Sequence, residues 1–216
     1  MSDIESTEKH LSELNKIFYE LLNRIKAIQI GTPEQFPFGW RKAAKGRTVW
    51  RIIEETISQN LEKYFNELGL STVMPSESEV SVYDAILILK GESNGIYINI
   101  KSSVFGGKTQ KDDISKAIGI RGFFEEDITR ELFIATFVLR FDDKMLVHLE
   151  NCYVMPITWI PDIYVNPSNN ANLQSSKYKD INQAKKRSNQ EFLLELTQQM
   201  EIAARKREAK MRRRRN

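Results

Sequence analysis

Three polar residues on two neighbouring predicted strands have side chains suited to metal-assisted hydrolysis: Asp84, Asn99 and Lys101. Asn99 and Lys101 alternate with isoleucines, so the period of a strand places both polar side chains on one face. A carboxylate and an amide oxygen can bind a hard cation such as Mg²⁺, and a lysine can orient a water or stabilise charge on a phosphate. The alternative is a half-exposed strand whose lysine extends into solvent.

The turn between the two strands predicts that these residues meet. The sequence indicates one strand over 80–90, a turn over 91–95 and a second strand over 96–103. Asp84 stands nine residues before the centre of the turn and Lys101 eight residues after it. Folding about that centre brings Asp84 to the face of Asn99 and Lys101, to within about one residue in register.

A further carboxylate is predicted on the helix that precedes these strands. The segment 47–68 has the apolar spacing of a helix, and Glu54 falls on its apolar face, near Trp50, Ile57 and Leu61. A carboxylate on the core side of a helix is costly unless it is paired or binds a ligand. Glu54 is therefore the preferred additional ligand, and Glu77 and Glu79 are the lesser candidates.

The motif formed by Asp84 and the triplet Asn99-Ile100-Lys101 resembles that of the PD-(D/E)xK nuclease superfamily, and within it the type II restriction endonucleases. The family has an acid where this chain has Asn99, and often a proline where it has Tyr83. An amide carries no charge, so a metal would need another carboxylate, for which Glu54 is the candidate. The resemblance covers about residues 47–180.

The resemblance implies an α/β fold with a restriction-endonuclease-like mixed β-sheet core flanked by helices. It also implies Mg²⁺ as cofactor, held by Asp84, Asn99 or the backbone of Ile100, and Glu54, with Lys101 positioning the attacking hydroxide. The products would carry a 5′-phosphate. The implied substrate is duplex DNA with a short palindromic site.

Two further segments predict contacts with DNA. The segment 40–51 has five cations and no acid, and such clusters attract polyanions. We expect phosphate contacts from four of these cations, at Arg41, Lys42, Lys45 and Arg47. A further phosphate contact is expected from Lys108, in a later glycine-containing loop. The Asn-rich segment 156–180 resembles a late loop of certain small restriction enzymes, although an ordinary surface loop is the alternative. Amides pair with adenine, so we expect a site containing A·T pairs, read by Asn169, Asn170, Asn172, Gln174, Ser175 and Ser176, with Lys177 and Lys179 on phosphates.

The length of 216 residues predicts a single nuclease domain. Its parts are an N-terminal helix (1–30), a catalytic core (47–155), the base-reading loop (156–180) and a basic C-terminal helix (181–216). One cysteine and two histidines exclude a disulfide framework, multi-thiolate zinc sites and paired catalytic histidines. The polar start and the lack of a long apolar run predict a cytoplasmic protein with no signal peptide, membrane span or small-molecule cofactor.

Palindromic DNA is best read by a two-fold dimer, so a homodimer is expected. The helix at 4–28 is the candidate contact, and packing on its own domain is an equal alternative. Residues 183–216 carry a net charge of +7, with eleven basic and four acidic residues. The alternatives for function are an inactive nuclease-fold DNA-binding protein, an RNA-binding protein that uses the basic helix, and a different metal-dependent nuclease such as a resolvase-like enzyme.

Overall fold

The computed structural model describes residues 3–41, 45–78, 80–106, 111–168 and 170–215, and all of their side chains except those of 45–48, 214 and 215. The helices and strands follow one another as α1 (Asp3–Ile25), β1 (Ala27–Gln29), α2 (Lys45–Tyr64), β2 (Leu70–Pro75), β3 (Ala85–Leu89), β4 (Ile96–Val104), β5 (Asp112–Lys116), α3 (Ala117–Glu126), β6 (Glu131–Phe141), β7 (Leu146–Pro156), β8 (Tyr164–Val165), β9 (Asn172–Ser175) and α4 (Asn189–Arg215).

The main sheet has the strand order β1-β7-β6-β4-β3-β2, and β5-β9-β8 form a smaller antiparallel sheet. Within the main sheet only β4 and β6 pair in parallel, from Ile96↔Glu131 to Val104↔Leu139. Parallel neighbours need a long crossover, and the segment with β5 and α3 provides it. The predicted fold class, a mixed sheet flanked by helices with helices at both ends, is therefore confirmed.

The two faces of the main sheet bury separate apolar cores. One core lies under α1 and α2, and the other lies under α3 and α4. Residues of β4 alternate between them: Ile98 and Ile100 belong to the first core, whereas Tyr97 packs on the second. Asn99 and Lys101 therefore lie on the α3/α4 face of the sheet, as the period of two predicts.

The apolar face of α1 packs on its own domain. Leu14, Phe18 and Leu21 are fully buried, and the ring of Phe18 meets Phe137 of β6 edge to face at 5.7 Å. Of the two roles expected for this helix, internal packing is the one that the structure shows. The buried face is not available to a second subunit.

Three predicted boundaries are wrong. The first helix ends at Ile25 because Lys26 has a φ of 57°, and β1 follows where 1–30 was expected to be helical. The segment 156–180 contains β8 and β9 rather than loop alone. The last helix begins at Asn189, not at 181, because Ser188 and Glu191 form a reciprocal cap: the Ser188 N–H donates to Glu191 Oε2 at 2.8 Å, and the Glu191 N–H donates to Ser188 Oγ at 3.2 Å.

His10 of α1 joins three parts of the fold. It is 6% exposed, with Nδ1 2.6 Å from Glu131 Oε2 and Nε2 2.8 Å from Glu92 Oε2. Burial lowers the pKa of His10, but the hydrogen bonds and charges of Glu131 and Glu92 together outweigh burial and raise it. The imidazolium can donate to both carboxylates, and it ties α1 to the β3–β4 turn and to the start of β6.

We therefore expect the stability of the fold to fall as the pH rises through the raised pKa of His10. The contribution of a raised histidine pKa is complete below the unfolded value of about 6.5 and is lost above the folded value. Between about pH 6 and pH 9, the free energy of unfolding in urea should fall more steeply for the wild type than for His10→Gln. His148→Gln, at a more exposed histidine, is the control. Parallel curves for wild type and His10→Gln would contradict the prediction.

Candidate active site

Asp84 lies directly before β3 and is bonded to β4 through both its backbone and its side chain. The Asp84 N–H donates to the Ile98 carbonyl at 2.7 Å, and Asp84 Oδ2 accepts the Ile100 N–H at 2.6 Å. Ala85 pairs with Ile98, so Asp84 lies opposite Asn99, three residues from the partner that folding about Ser93 predicts. The carboxylate thus continues the β3–β4 ladder beyond the last strand residue.

Asn99 is buried, 5% exposed, and only one end of its amide is bonded. Its Nδ2 donates to the Val82 carbonyl at 2.7 Å, which fixes the orientation of the amide because a carbonyl can only accept. Its Oδ1 is buried and accepts no hydrogen bond from the described part of the chain. Buried polar atoms are nearly always satisfied, so this oxygen is a candidate ligand atom.

Replacing Asn99 by aspartate should destabilise the protein, although it would restore the acid of the resembled motif. A carboxylate cannot donate to the Val82 carbonyl, so two acceptors would face each other in a buried position. In EDTA at about pH 8 we expect the free energy of unfolding to fall by about 2–3 kcal/mol, and to fall less at about pH 4, where a protonated Asp can donate. Asn94→Asp, exposed in the turn, is the matched control. Equal unfolding curves for both variants would show that the bond to Val82 is unimportant.

Glu54 approaches this group from α2. Burial raises its pKa to about 7, the charge of Asp84 raises it as well, and Lys101 and Arg51 act in the opposite direction. Glu54 is thus close enough to Asp84 and Lys101 for their charges to act on it. The inward position expected from the helical spacing is the one that the structure has.

Asp84 is also held in conditions that disfavour its charge. Burial raises its pKa, and the hydrogen bond from the Ile100 N–H and the charge of Lys101 only partly offset this. Two half-buried carboxyls, those of Asp84 and Glu54, therefore both resist ionisation and repel each other once ionised. A cation bound by both would remove this penalty.

Four oxygen-bearing groups in this part of the structure are of the kind that Mg²⁺ prefers: the carboxylates of Asp84 and Glu54, the Oδ1 atom of Asn99 and the carbonyl of Ile100. The N–H and C=O of a strand residue point to the same side, so the Ile100 carbonyl faces Asp84 as its N–H does. Within the described ranges no three His, Cys, Asp or Glu residues are grouped to hold a metal. A cation here would thus depend on the amide and backbone oxygens.

Lys101 lines two cavities. A cavity of about 240 Å³ places it beside Glu54 and Trp50, and a groove of about 920 Å³ runs from it along the end of β4. The far wall of the groove is formed by residues 176–180, where Lys179 Nζ is 2.9 Å from Asp112 Oδ2. The groove therefore carries both signs of charge: Lys177 and Lys179 lie on its far wall, and three aspartates also line it, at 112, 113 and 180.

The predicted base-reading residues differ in what they can contact. Ser175 is fully buried and its hydroxyl donates to Asp162, so we remove Ser175 from the residues proposed to contact DNA. Ser176 Oγ also donates to Asp162, at 3.1 Å, and Gln174 Nε2 donates to Asp113 Oδ1 at 2.6 Å. The remaining described candidates, which are exposed or half-buried, are Asn170, Asn172 and Lys177.

The predicted phosphate-binding residues are only partly described. Arg41 is exposed and its guanidinium lies 5.6 Å from the centre of the Phe38 ring. Lys45 and Arg47 lie in the first turn of α2. Three other predicted DNA contacts lie outside the described residues, namely Lys42, Lys108 and Asn169. The lesser metal-ligand candidate Glu79 also lies outside them.

Sequence reasoning missed two kinds of site residue. The first is Arg51, whose guanidinium lies 4.7 Å from the centre of the Trp50 ring and whose charge lowers the pKa of Glu54. Its position three residues before Glu54 in a helix could have indicated this. Residues of the far groove wall, including Lys179, were recognised only as possible phosphate contacts. Their position opposite Lys101 depends on the pairing of β5 with β9, which has no local signal.

Fold and site together define a mixed α/β domain with oxygen-bearing side chains and a lysine at the middle of β4, where β3 begins. No protein-family model matches the chain, and no curated protein matches it. Among solved structures, the chain is similar to one described as "NlaIV restriction endonuclease", with a TM-score of 0.47 and 16% sequence identity. The match covers 82% of this chain and 76% of that chain. Among the described residues, no helix is both long and apolar enough to cross a membrane.

Proposed function

We propose that the protein is a Mg²⁺-dependent endonuclease that hydrolyses phosphodiester bonds in duplex DNA. The observation that carries the proposal is the convergence of Asp84, Asn99 and Lys101 on one strand face, with Glu54 within reach of their charges. This set has what phosphodiester hydrolysis needs: oxygen ligands for a hard cation, and an ammonium group beside them.

Each of these residues has a role in the proposed reaction. Asp84, Glu54, the Oδ1 atom of Asn99 and the Ile100 carbonyl would hold Mg²⁺, which when bound polarises the phosphate and lowers the pKa of water. The Ile100 N–H keeps Asp84 in place, and the Asn99–Val82 hydrogen bond holds the chain that leads into Asp84.

Lys101 positions the attacking water and balances the negative charge that develops on the phosphate. The oxygen of the water bonds to phosphorus, and the bond between phosphorus and the 3′ oxygen breaks. The departing 3′ oxygen takes up a proton, so the products are a 3′-hydroxyl and a 5′-phosphate.

The groove beside Lys101 is the proposed path of the DNA. The groove has a volume of about 920 Å³ and Lys101 lines it, so a phosphodiester bound there would lie near the ammonium group. The exposed Lys177 on the far wall would supply positive charge for the backbone, and Lys179 would do so on leaving Asp112. Asn170 and Asn172 are the proposed base-reading amides.

We further propose that cleavage is of the type II restriction kind, at a short palindromic site that contains A·T pairs, and that the active form is a homodimer. A two-fold dimer supplies one active site for each strand. Because the apolar face of α1 is buried within its own domain, the dimer contact must use another surface.

The test is to incubate the purified protein with phage-sized duplex DNA in Mg²⁺ and in EDTA, and to separate the products on a gel. We expect discrete fragments in Mg²⁺ alone, and mapping their ends would give the site. A smear would indicate a nuclease without sequence specificity. Intact DNA in both samples would contradict the proposal for duplex substrates.

One observation favours a second candidate, a nuclease-fold DNA-binding protein without activity. Asn99 carries no charge and its amide already supports the Val82 carbonyl, as in a purely structural role. Such a protein would bind a defined duplex in EDTA as tightly as in Mg²⁺ and would not cut it. Calorimetric titration with Mg²⁺ separates the two candidates. The nuclease is expected to bind Mg²⁺ and to lose this binding in Asp84→Asn, whereas the inactive protein needs no Mg²⁺.

A further inference from the structure

The distal part of α4 is a helical segment that the fold does not use. Phe192 and Leu196 are fully buried under the sheet, and Ala203 is the last buried residue among the side chains of α4 that the structure describes. Beyond it, the described side chains from Arg205 to Arg213 are exposed, apart from the half-buried Arg207. We call residues 205–215 the arm. At about 1.5 Å per residue it is about 16 Å long.

The arm is strongly cationic. It contains eight basic residues and one acid, Glu208. Successive residues of a helix are turned by about 100°. At this spacing the cations are distributed around most of the circumference; they stand at 205, 206, 207, 210 and 212–215. A helix that lies on a membrane needs a broad apolar face, which this spacing does not provide.

Internal interactions do not explain the charge. The helix macrodipole favours cations only in the last turn, and four of the eight lie before it, at 205, 206, 207 and 210. Arg205 pairs with Glu201 at 3.5 Å on the exposed surface. Cations at i and i+4, such as Lys206 and Lys210, repel each other and oppose helix formation. The arm is therefore suited to a polyanion that would relieve this repulsion.

We propose that the arm binds the phosphates of duplex DNA, on a surface separate from the groove that Lys101 lines. Duplex DNA carries one charge per about 1.7 Å, so a stretch as long as the arm presents about nine or ten phosphates. A helix is about 10–12 Å across and the major groove is about 12 Å wide, so cations on opposite sides of the arm can reach both strands. The choice of DNA, rather than another polyanion, rests on the proposed function.

The arm adds affinity that does not depend on sequence. Phosphate contacts position a protein on DNA and carry no base information. The arm thus extends the contact beyond the cleaved site and supports movement of the protein along the duplex. Its contribution is expected to depend steeply on salt, because each neutralised phosphate releases counterions.

The test compares two variants of the full chain with equal net charge. The arm variant is Arg205→Gln, Lys206→Gln, Lys210→Gln and Arg212→Gln. The control variant removes four exposed cations elsewhere on the surface: Lys16→Gln, Lys63→Gln, Lys90→Gln and Lys144→Gln. Glutamine favours helices about as well as lysine does, so the arm should keep its fold, and far-UV circular dichroism checks this.

Binding to a fluorescent duplex of about 40 base pairs is measured in EDTA over a range of salt concentrations. We expect the slope of log K against log salt to become less steep by about 3 to 4 in the arm variant and to change by less than about 1 in the control. Equal changes in both variants, or none in either, would overturn the proposal. So would a loss of binding to phosphatidylserine vesicles or to duplex RNA in the arm variant with DNA binding unchanged.

The result is independent of the proposed catalysis. The assay contains no Mg²⁺, so an inactive protein with a DNA-binding arm still shows the change in slope. Conversely, a nuclease whose arm has no such role still cuts DNA in Mg²⁺ while the two variants bind alike. Failure of the arm and failure of the active site are therefore separate outcomes.

Discussion

Replacing Asp84 by asparagine is expected to abolish Mg²⁺-dependent cleavage of DNA and to leave the fold intact. The amide oxygen can still accept the Ile100 N–H, so the β3–β4 connection is retained. What is lost is a negative charge among the proposed metal ligands, and we expect the cleavage rate to fall by a factor on the order of 10³ or more. Mg²⁺ titration should show the corresponding loss of binding.

The stability of Asp84→Asn without metal distinguishes loss of a ligand from general disruption of the fold. Burial raises the pKa of Asp84, so its charge is unfavourable in the metal-free protein. Asp84→Asn should therefore unfold in EDTA at the same urea concentration as the wild type or a higher one. Asp143→Asn makes the same chemical change at an exposed turn and should cleave normally. Wild-type activity in Asp84→Asn would exclude the proposed site.

Replacing Lys101 by methionine is expected to lower the cleavage rate by about 10²–10⁴ while leaving the affinity for DNA within about tenfold of the wild type. The proposed role of Lys101 is in the reaction, where its ammonium positions water and stabilises charge. The other cations along the groove remain to hold the backbone. Single-turnover cleavage and binding in Ca²⁺ measure the two effects separately.

A second consequence of this substitution concerns Glu54. The charge of Lys101 lowers the pKa of Glu54, so its removal should raise that pKa further above about 7. Mg²⁺ binding then competes with a proton up to a higher pH, and the affinity for Mg²⁺ should fall most below neutral pH. Lys144→Met, at an exposed turn, is the control. An equal loss of affinity for DNA and of cleavage rate would show that Lys101 only binds substrate.

The common face of Asn99 and Lys101 was predictable because a period of two assigns the faces of β4. The turn also predicts that Asp84 comes near them, but the register differs by three residues because the centre of the turn lies before Ser93. The position of Glu54 was predictable for a similar reason, since the helical period places it among apolar neighbours. None of these predictions needed a contact between distant parts of the chain.

The hydrogen bond between Asn99 and Val82 could not be predicted. Residues 80–84 have the apolar alternation of a strand, yet the strand begins only at Ala85, and the preceding chain turns so that the Val82 carbonyl meets the amide. This bond gives Asn99 a reason to be an amide that is independent of metal binding. A sequence motif cannot distinguish the two reasons.

The sheets also show where local patterns fail. β2 was missed because it lies at the edge of the main sheet, where it is half-exposed and lacks a regular alternation. The sequence pattern over about 111–124 is that of a short helix, but its first part is β5, because Asp112 to Lys116 pair with β9, some sixty residues later in the chain. Such non-local pairing overrides local propensity. The start of α4 could have been found, since Ser188 and Glu191 have the spacing of a capping box.

The hydrogen bonds of Asp162 order the far wall of the groove before any ligand binds. Its carboxylate accepts hydrogen bonds from the hydroxyls of Ser175 and Ser176 and from the N–H of Ser176. Burial raises the pKa of Asp162, but these hydrogen bonds together outweigh burial and lower it. They fasten the end of β9 to the chain before β8. Ordering a flexible residue costs about 1–2 kcal/mol of conformational entropy, and here the free protein has already met that cost. Association at this wall can therefore proceed without a folding step.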